Sequence, residues 1–113
     1  MCARADWEAA RVVGEYRSPS LATEGFIHLS APYQVHLPAN RIFPGHPDLV
    51  LLHLDPDRLP AEVRWEPGVA TDPESMRFPH LYGALPVAAV VAVSDYRPGP
   101  DGYFEPLPAD EPH

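Results

Sequence analysis

Apolar residues occur in short runs separated by prolines, glycines and acidic residues, a pattern typical of short strands and helices. The run 49–55 is almost continuously apolar and predicts a strand covered on both faces. Residues 63–66 alternate apolar with charged side chains and predict a short two-faced strand, and the Val/Ala-rich segment 87–94 predicts another. These three segments are the main candidates for sheet formation.

The first helix is predicted over 6–14. Trp7 and Ala10 share one side at a spacing of three residues, which is the spacing of a helix face. Asp6 is expected to cap the N-terminus, and Gly14 is expected to close the helix in the left-handed conformation.

The polar segment 16–23 contains a proline and is expected to be a loop. Residues 26–29 predict a short strand, followed by a helix with Ser30 as its cap and Pro32 in its first turn. Pro38 is expected to kink that helix or to split it in two.

The predicted order is helix, strand, helix, strand, strand, loop and strand. This order favours an α+β fold with a small, mostly antiparallel or mixed sheet and helices packed alongside. The loop in this order is the polar segment 68–77. We expect one domain over 1–103 and a proline- and acid-rich C-terminal extension over 104–113.

Composition narrows the function classes. The 113 residues carry a formal net charge of -8, which argues against nucleic-acid binding because that needs a basic face. The single cysteine, Cys2, cannot form an internal disulfide or a cysteine-based metal site. No run approaches the roughly 20 apolar residues of a membrane helix, and no signal-peptide pattern is present. The sequence therefore favours a cytoplasmic protein, a monomer or small homo-oligomer, whose partner is a small-molecule substrate rather than a membrane.

Two histidines lie within short apolar phrases, and the first is His28, in 25–30. An imidazole among aromatic and aliphatic side chains needs a partner or a task. His28 is expected at a strand end beside the free N–H groups of the next helix, with Ser30 and Gln34 facing the same opening. The alternative is a buried histidine bonded to a carbonyl, a simple cap and a surface glutamine.

The second of these histidines is His80. Pro79 restricts the residue before it to extended geometry, so His80 and Tyr82 are expected on one side of an extended segment. The alternative is a loop that plugs the core, with Phe78 and Tyr82 as packing.

Glu66 follows Trp65 at the end of a predicted strand. A carboxylate beside an aromatic ring can have a raised pKa and act as acid or base, or stabilise positive charge on a sugar ring. The alternative is a rim glutamate paired with Arg64 or Arg77. A metal site built from Glu66 and the two histidines lacks paired local spacing, and we expect no metal.

Several phrases in this order resemble the domain-of-unknown-function 952 family of small bacterial proteins, over about 4–103. They are Trp7-Glu-Ala-Ala, Gly25-Phe-Ile-His-Leu-Ser30, Gln34, Leu51-Leu-His-Leu-Asp55, Arg64-Trp-Glu66, Phe78-Pro-His-Leu-Tyr-Gly83 and the segment 87–93.

The resemblance implies an ADP-ribosyltransferase-like fold, a split β-sheet that holds NAD in a central cleft. In that superfamily the nicotinamide–ribose bond is cleaved through an oxocarbenium-like state that a carboxylate stabilises. NAD is therefore the candidate cofactor. The cleft is implied to be lined by residues that we assign as catalytic (His28, Glu66, His80) or substrate-binding (Ser30, Gln34, Tyr82), and we add Trp65 and Phe78 to the substrate-binding set.

Family members usually open with an apolar strand, which in the superfamily carries a nicotinamide-binding His or Arg, and residues 1–4 replace it here. Either the recorded sequence begins late, or the protein keeps the pocket without the NAD role. Three functions stay open. They are NAD-dependent transfer or glycohydrolysis, cofactor-independent acid–base chemistry (cyclisation, elimination or hydrolysis of a metabolite), and ligand binding without catalysis.

Overall fold

The described residues form two three-stranded sheets and a two-stranded ribbon. The structure is a computed structural model that describes residues 1–67 and 76–107. Within them, the α-helices are α1 Arg4–Val13, α2 Pro19–Glu24 and α3 His36–Ile42. The strands are β1 Cys2–Ala3, β2 Glu15–Tyr16, β3 Ile27–His28, β4 Leu49–Leu54, β5 Val63–Pro67, β6 Arg77–Leu81, β7 Leu85–Pro86 and β8 Val90–Tyr96.

The first sheet has the order β1-β4-β8, and the second sheet has the order β3-β6-β5. The ribbon joins β2 to β7, and every pairing is antiparallel. This arrangement confirms an α+β fold with antiparallel sheets. The strands predicted at 49–55, 63–66 and 87–94 are confirmed as β4, β5 and β8, although β8 begins only at Val90, after a 3-10 turn.

A short first strand is present, although the resemblance led us to expect its loss. Cys2 and Ala3 pair with Val50 and Leu49, and Cys2 packs with Trp7 in a buried cluster. Backbone pairing needs no particular side chain, so two small residues are enough to form a strand beside β4. The strand carries neither the histidine nor the arginine that the resemblance implies there.

The helix α1 ends as predicted but begins differently. Gly14 closes it with a φ of 99°, in the left-handed region that favours glycine. Ala3 is the N-cap and no side chain caps this end, so the prediction that Asp6 caps the helix is wrong. Asp6 lies instead in the first turn, where its charge suits the positive end of the helix dipole. Trp7 and Ala10 are buried, as their spacing predicts.

The prediction of a loop over 16–23 is wrong, because this segment contains part of β2 and most of α2. Pro19 occupies the first turn of α2, where a missing N–H is harmless because that N–H has no partner inside the helix. Gly25 then ends the helix with a φ of 87°. Pro19, which was interpreted as a loop residue, is therefore the first residue of a helix.

The helix predicted after β3 begins later than expected. Residues Pro32–Gln34 form a 3-10 turn whose N-cap is Ala31, so the assignment of Ser30 as a helix cap is wrong. The α-helix α3 starts only at His36. Pro38 therefore lies in the first turn of α3, where it removes no hydrogen bond, and it neither kinks nor splits the helix.

Proline in a central strand explains why β3 is short. His28 pairs with His80, which sets Leu29 opposite Pro79. The Leu29 N–H donates to the Pro79 carbonyl at 2.9 Å, but Pro79 has no N–H to return. The ladder ends there, and the chain leaves the sheet at Ser30.

The described residues after Tyr103 pack on the body of the protein. Phe104 is 2 % exposed and lies in a core cluster with Leu49. Its N–H donates to Asn40 Oδ1 at 2.7 Å, and its carbonyl accepts from Asn40 Nδ2 at 3.0 Å. The predicted extension over 104–113 thus begins as packed chain.

Parts of two sequence predictions lie outside the described residues. They are 108–113 of the extension, and 68–75 of the predicted polar loop.

Candidate active site

Three residues predicted to be catalytic meet on one face of the second sheet. The register pairs His28 with His80 and Arg64 with His80, and Glu66 with Phe78. Because side chains alternate along a strand, these pairs place both histidines and Glu66 on the same face. The sequence prediction that His28, Glu66 and His80 come together agrees with this register.

Glu66 is held by two donors on a single oxygen. The Tyr82 hydroxyl donates to Glu66 Oε1 at 2.5 Å, and His80 Nδ1 lies 3.0 Å from the same oxygen. A carboxylate can only accept, so His80 carries its proton on Nδ1 in this contact. The second oxygen, Oε2, has no hydrogen-bond partner among the described residues, and the Glu66 side chain is 36 % exposed. One oxygen is thereby fixed by two donors, and the other is open to further hydrogen bonding.

These contacts keep the carboxyl group ionised. The hydrogen bond from Tyr82, followed by the one from His80, holds the pKa of Glu66 below its ordinary value. The same bond to Glu66 raises the pKa of Tyr82 above its ordinary value. The expectation that Trp65 would raise the pKa of Glu66 is therefore wrong, because donors rather than an apolar wall surround the carboxylate.

His80 is buried and serves to position Glu66. Its side chain is 2 % exposed, and its ring stacks on Phe26 with centroids 4.1 Å apart and an interplanar angle of 11°. Its Nε2 atom is buried and has no hydrogen-bond partner among residues 1–67 and 76–107. With so little exposed surface, His80 is placed to orient Glu66 rather than to present a ring nitrogen to solvent.

His28 is the more accessible histidine of the pair. Its ring centroid lies 5.0 Å from that of His80, and its Nε2 lies 2.8 Å from Glu24 Oε2. The side chain is 33 % exposed. A histidine oriented by a carboxylate is an arrangement that can transfer protons near neutral pH.

Tyr82 is positioned by a close contact between two chain segments. Its N–H donates to the Glu62 carbonyl at 2.9 Å. A Cβ atom on the following residue, Gly83, would lie 2.7 Å from the Ala61 Cβ, so only glycine fits there. The Arg64 guanidinium lies over the Tyr82 ring, 4.8 Å from its centroid.

Glu24, Phe26 and Arg64 belong to the cluster but were not predicted as site residues. Phe26 could have been predicted, because strand alternation places it on the same face as His28. Glu24 was hidden because its helix was predicted to be a loop. Arg64 was considered as a partner of Glu66, whereas it forms an ion pair with Glu62 at 3.0 Å.

The remaining predicted substrate-binding residues lie elsewhere. Ser30 and Trp65 line a cavity of about 590 Å³ between the two sheets, which none of the cluster residues lines. Trp65 and Glu66 are neighbours on β5 and therefore point to opposite faces. The expectation that all the predicted residues line a single cleft is wrong for this reason.

Gln34 and Phe78 are packing residues. Gln34 is 5 % exposed, accepts from the Ala31 N–H at 3.0 Å and donates to the Arg77 carbonyl at 3.0 Å. It thereby ties the 3-10 turn to β6. Phe78 is 3 % exposed and borders a small cavity of about 60 Å³ together with His28.

Within 1–67 and 76–107, no group of three His, Cys, Asp or Glu side chains is placed to hold a metal ion. In the same part of the chain, the longest helix has 10 residues, and none has the length and apolar character needed to cross a membrane.

The fold and the cluster define a small α+β protein with a histidine–glutamate–tyrosine cluster on one antiparallel sheet. The chain belongs to the family described as protein of unknown function (DUF952), whose model matches residues 1–93. This result confirms the family that the sequence phrases indicated.

Solved structures with a similar chain agree with the fold. The crystal structure of protein CC0527 from Caulobacter crescentus is 36% identical, with 91% of this chain and 88% of that chain covered and a TM-score of 0.77. The solution NMR structure of the same protein is also 36% identical, covers 94% and 87% of the two chains, and has a TM-score of 0.74. No curated protein matches the chain.

Proposed function

We propose that the protein is an enzyme that acts on a small molecule at the free oxygen of Glu66. The observation that carries this proposal is the one-sided binding of the carboxylate. Tyr82 and His80 both donate to Oε1, while Oε2 has no partner among the described residues. Ordinary surface glutamates are not fixed by two side-chain donors, whereas groups that stabilise a transition state are held in place before the reaction.

An ionised, oriented carboxylate suits a reaction in which positive charge develops. Cleavage of a glycosidic bond has this character, because the sugar passes through an oxocarbenium-like state. An ADP-ribosyltransferase-like architecture would make NAD the substrate, with the nicotinamide–ribose bond as the bond that breaks. The described β-structure, with its two three-stranded antiparallel sheets, is compatible with that architecture.

His28 is assigned proton transfer in this proposal. Its ring is accessible and is oriented by Glu24 at 2.8 Å. In glycohydrolysis it would take the proton of the attacking water, which bonds to the sugar carbon as the nicotinamide leaves with the bonding electrons. Proton transfer by such a group contributes about 100- to 10,000-fold.

Release of nicotinamide from NAD by the purified protein, measured by liquid chromatography, tests the proposal. Glu66→Gln keeps the shape but removes the charge, and we expect it to lower the rate about 100-fold or more. Glu62→Gln is the matched control, because Glu62 is an exposed carboxylate four residues away whose side chain bonds to Arg64 rather than to His80 or Tyr82. Its backbone hydrogen bond to Tyr82 is unchanged by the substitution. Equal rates for the two variants would overturn the role of Glu66.

Cofactor-independent acid–base chemistry is the second candidate function. The paired contact of His28 with Glu24 favours it, since this pair needs no cofactor to exchange a proton. The protein is incubated with a metabolite extract, and consumed and formed compounds are identified by mass spectrometry. A compound consumed by the native protein but not by His28→Ala supports this candidate. A retained ligand with no product at all indicates binding without catalysis.

A further inference from the structure

The cavity between the two sheets is a second site, separate from the Glu66 cluster. Its volume of about 590 Å³ lies within the roughly 300–1,000 Å³ of small-molecule pockets. It is bordered on the side of the second sheet by Trp65, Pro79 and Leu29. On the side of the first sheet it is bordered by Leu51 and Leu54 of β4. Glu66, His80 and Tyr82 do not line it, because they lie on the other face of the second sheet.

The side chains that line this cavity are mostly apolar. Among the described residues that form it, none is Asp, Glu, Lys or Arg, and the polar side-chain groups are those of Ser30 and His53 and the indole N–H of Trp65. His53 Nε2 already lies 2.8 Å from the Ser94 hydroxyl. The Ser30 hydroxyl has no hydrogen-bond partner within the described part of the chain. The Ser30 hydroxyl is thus left to orient a ligand.

This composition selects the kind of ligand. Apolar walls favour a ligand that removes its own apolar surface from water. A phosphate group would be desolvated here, and no lysine or arginine side chain among the described lining residues could pair with it. Trp65 is 49 % exposed and provides a flat aromatic surface at the rim of the cavity.

We propose that this cavity binds a neutral, mostly apolar small molecule, with one polar group hydrogen-bonded to the Ser30 hydroxyl. The proposal does not depend on the function proposed for Glu66. The two sites share the strand β5 but use residues that point to opposite sides of it.

Titration with the neutral dye Nile red, followed by its emission, tests this site. We expect saturation with one dye per chain. Val63→Trp places a large ring into the cavity lining, at a residue that is 36 % exposed, and is expected to weaken binding at least tenfold. Val93→Trp is the matched control, because Val93 is 40 % exposed, lies on a strand and does not line the cavity. Equal affinities for these two variants, or binding that does not saturate, would overturn the proposal.

Two more variants keep the test decisive. If circular dichroism shows that Val63→Trp does not fold, Trp65→Ala replaces it and is expected to weaken binding by removing the aromatic rim. Ser30→Ala is expected to weaken binding about threefold to tenfold, since it removes one hydrogen bond; unchanged binding would contradict the role of Ser30. Glu66→Gln should bind the dye as the native protein does, so failure here is distinct from failure of the proposed enzyme activity.

Discussion

Replacing Gln34 by alanine should reveal whether this side chain holds the fold together. The substitution leaves the Ala31 N–H and the Arg77 carbonyl without their partner, since each is bonded to Gln34 at 3.0 Å. A buried backbone group that loses its partner costs about 1–3 kcal/mol. Both bonds are only partly buried, so water replaces some of the lost contact. We therefore expect the free energy of unfolding to fall by about 2 to 4 kcal/mol.

Urea denaturation followed by far-UV circular dichroism measures this loss, provided that the slopes of the two proteins agree. Tyr33→Ala is the matched control in the same 3-10 turn, because Tyr33 is 72 % exposed and should change stability by no more than about 0.5 kcal/mol. A loss for Gln34→Ala as small as that of the control would refute the reasoning. Gln34 would then be free to bind substrate, as the sequence had led us to expect.

Three further predictions follow from burial and from the pKa shifts. Leu81 has no exposed surface and lies in a core cluster. Leu81→Ala should therefore destabilise the fold by about 2–5 kcal/mol in the same urea assay. Val12 is 89 % exposed, and a loss of stability no larger than that of Val12→Ala would contradict this prediction. Burial raises the pKa of Tyr16 from 10.0 to about 12. The contribution of Tyr16 to stability should therefore be full below pH 10 and should be lost as the pH rises towards 12. Absorbance at alkaline pH reports the ionisation of Tyr16, and a free energy of unfolding that stays constant over that range would count against the shift. The pKa of Glu66 is lowered from 4.5, so the contribution of Glu66 to stability is present above pH 4.5 and is lost as the pH falls through the pKa of the folded state. The urea midpoint of Glu66→Gln should therefore depend less on acid pH than that of the native protein. An identical acid profile would argue against the hydrogen bonds from Tyr82 and His80.

Strong local patterns made part of the fold predictable. The apolar run of β4, the alternation of β5 and the spacing of Trp7 and Ala10 each reflect burial on a defined face, and each is confirmed. The start of α2 was missed because Pro19 has two opposite meanings. It stops a helix at interior positions and favours one at the first position, and only the surrounding packing decides between them.

The sequence indicated residues of the candidate site, but it did not show which of them face the same opening. Alternation correctly places Trp65 and Glu66 on opposite faces of β5, yet we had assigned both residues to one site. Which face of a sheet is open depends on the elements that cover it, and those contacts join residues far apart in the chain. The burial of His80 under Phe26 is such a contact, and composition carries no signal for it.

The alternation along β5 also limits how this protein can change during evolution. Inserting or deleting one residue inside the strand, between Val63 and Glu66, would turn the carboxylate towards the cavity and an apolar side chain towards His80. Both sites would be lost in a single genetic event, although no side chain had been substituted. A length change of two residues would keep each side chain on its own face, whereas a substitution can alter one candidate site and leave the other intact.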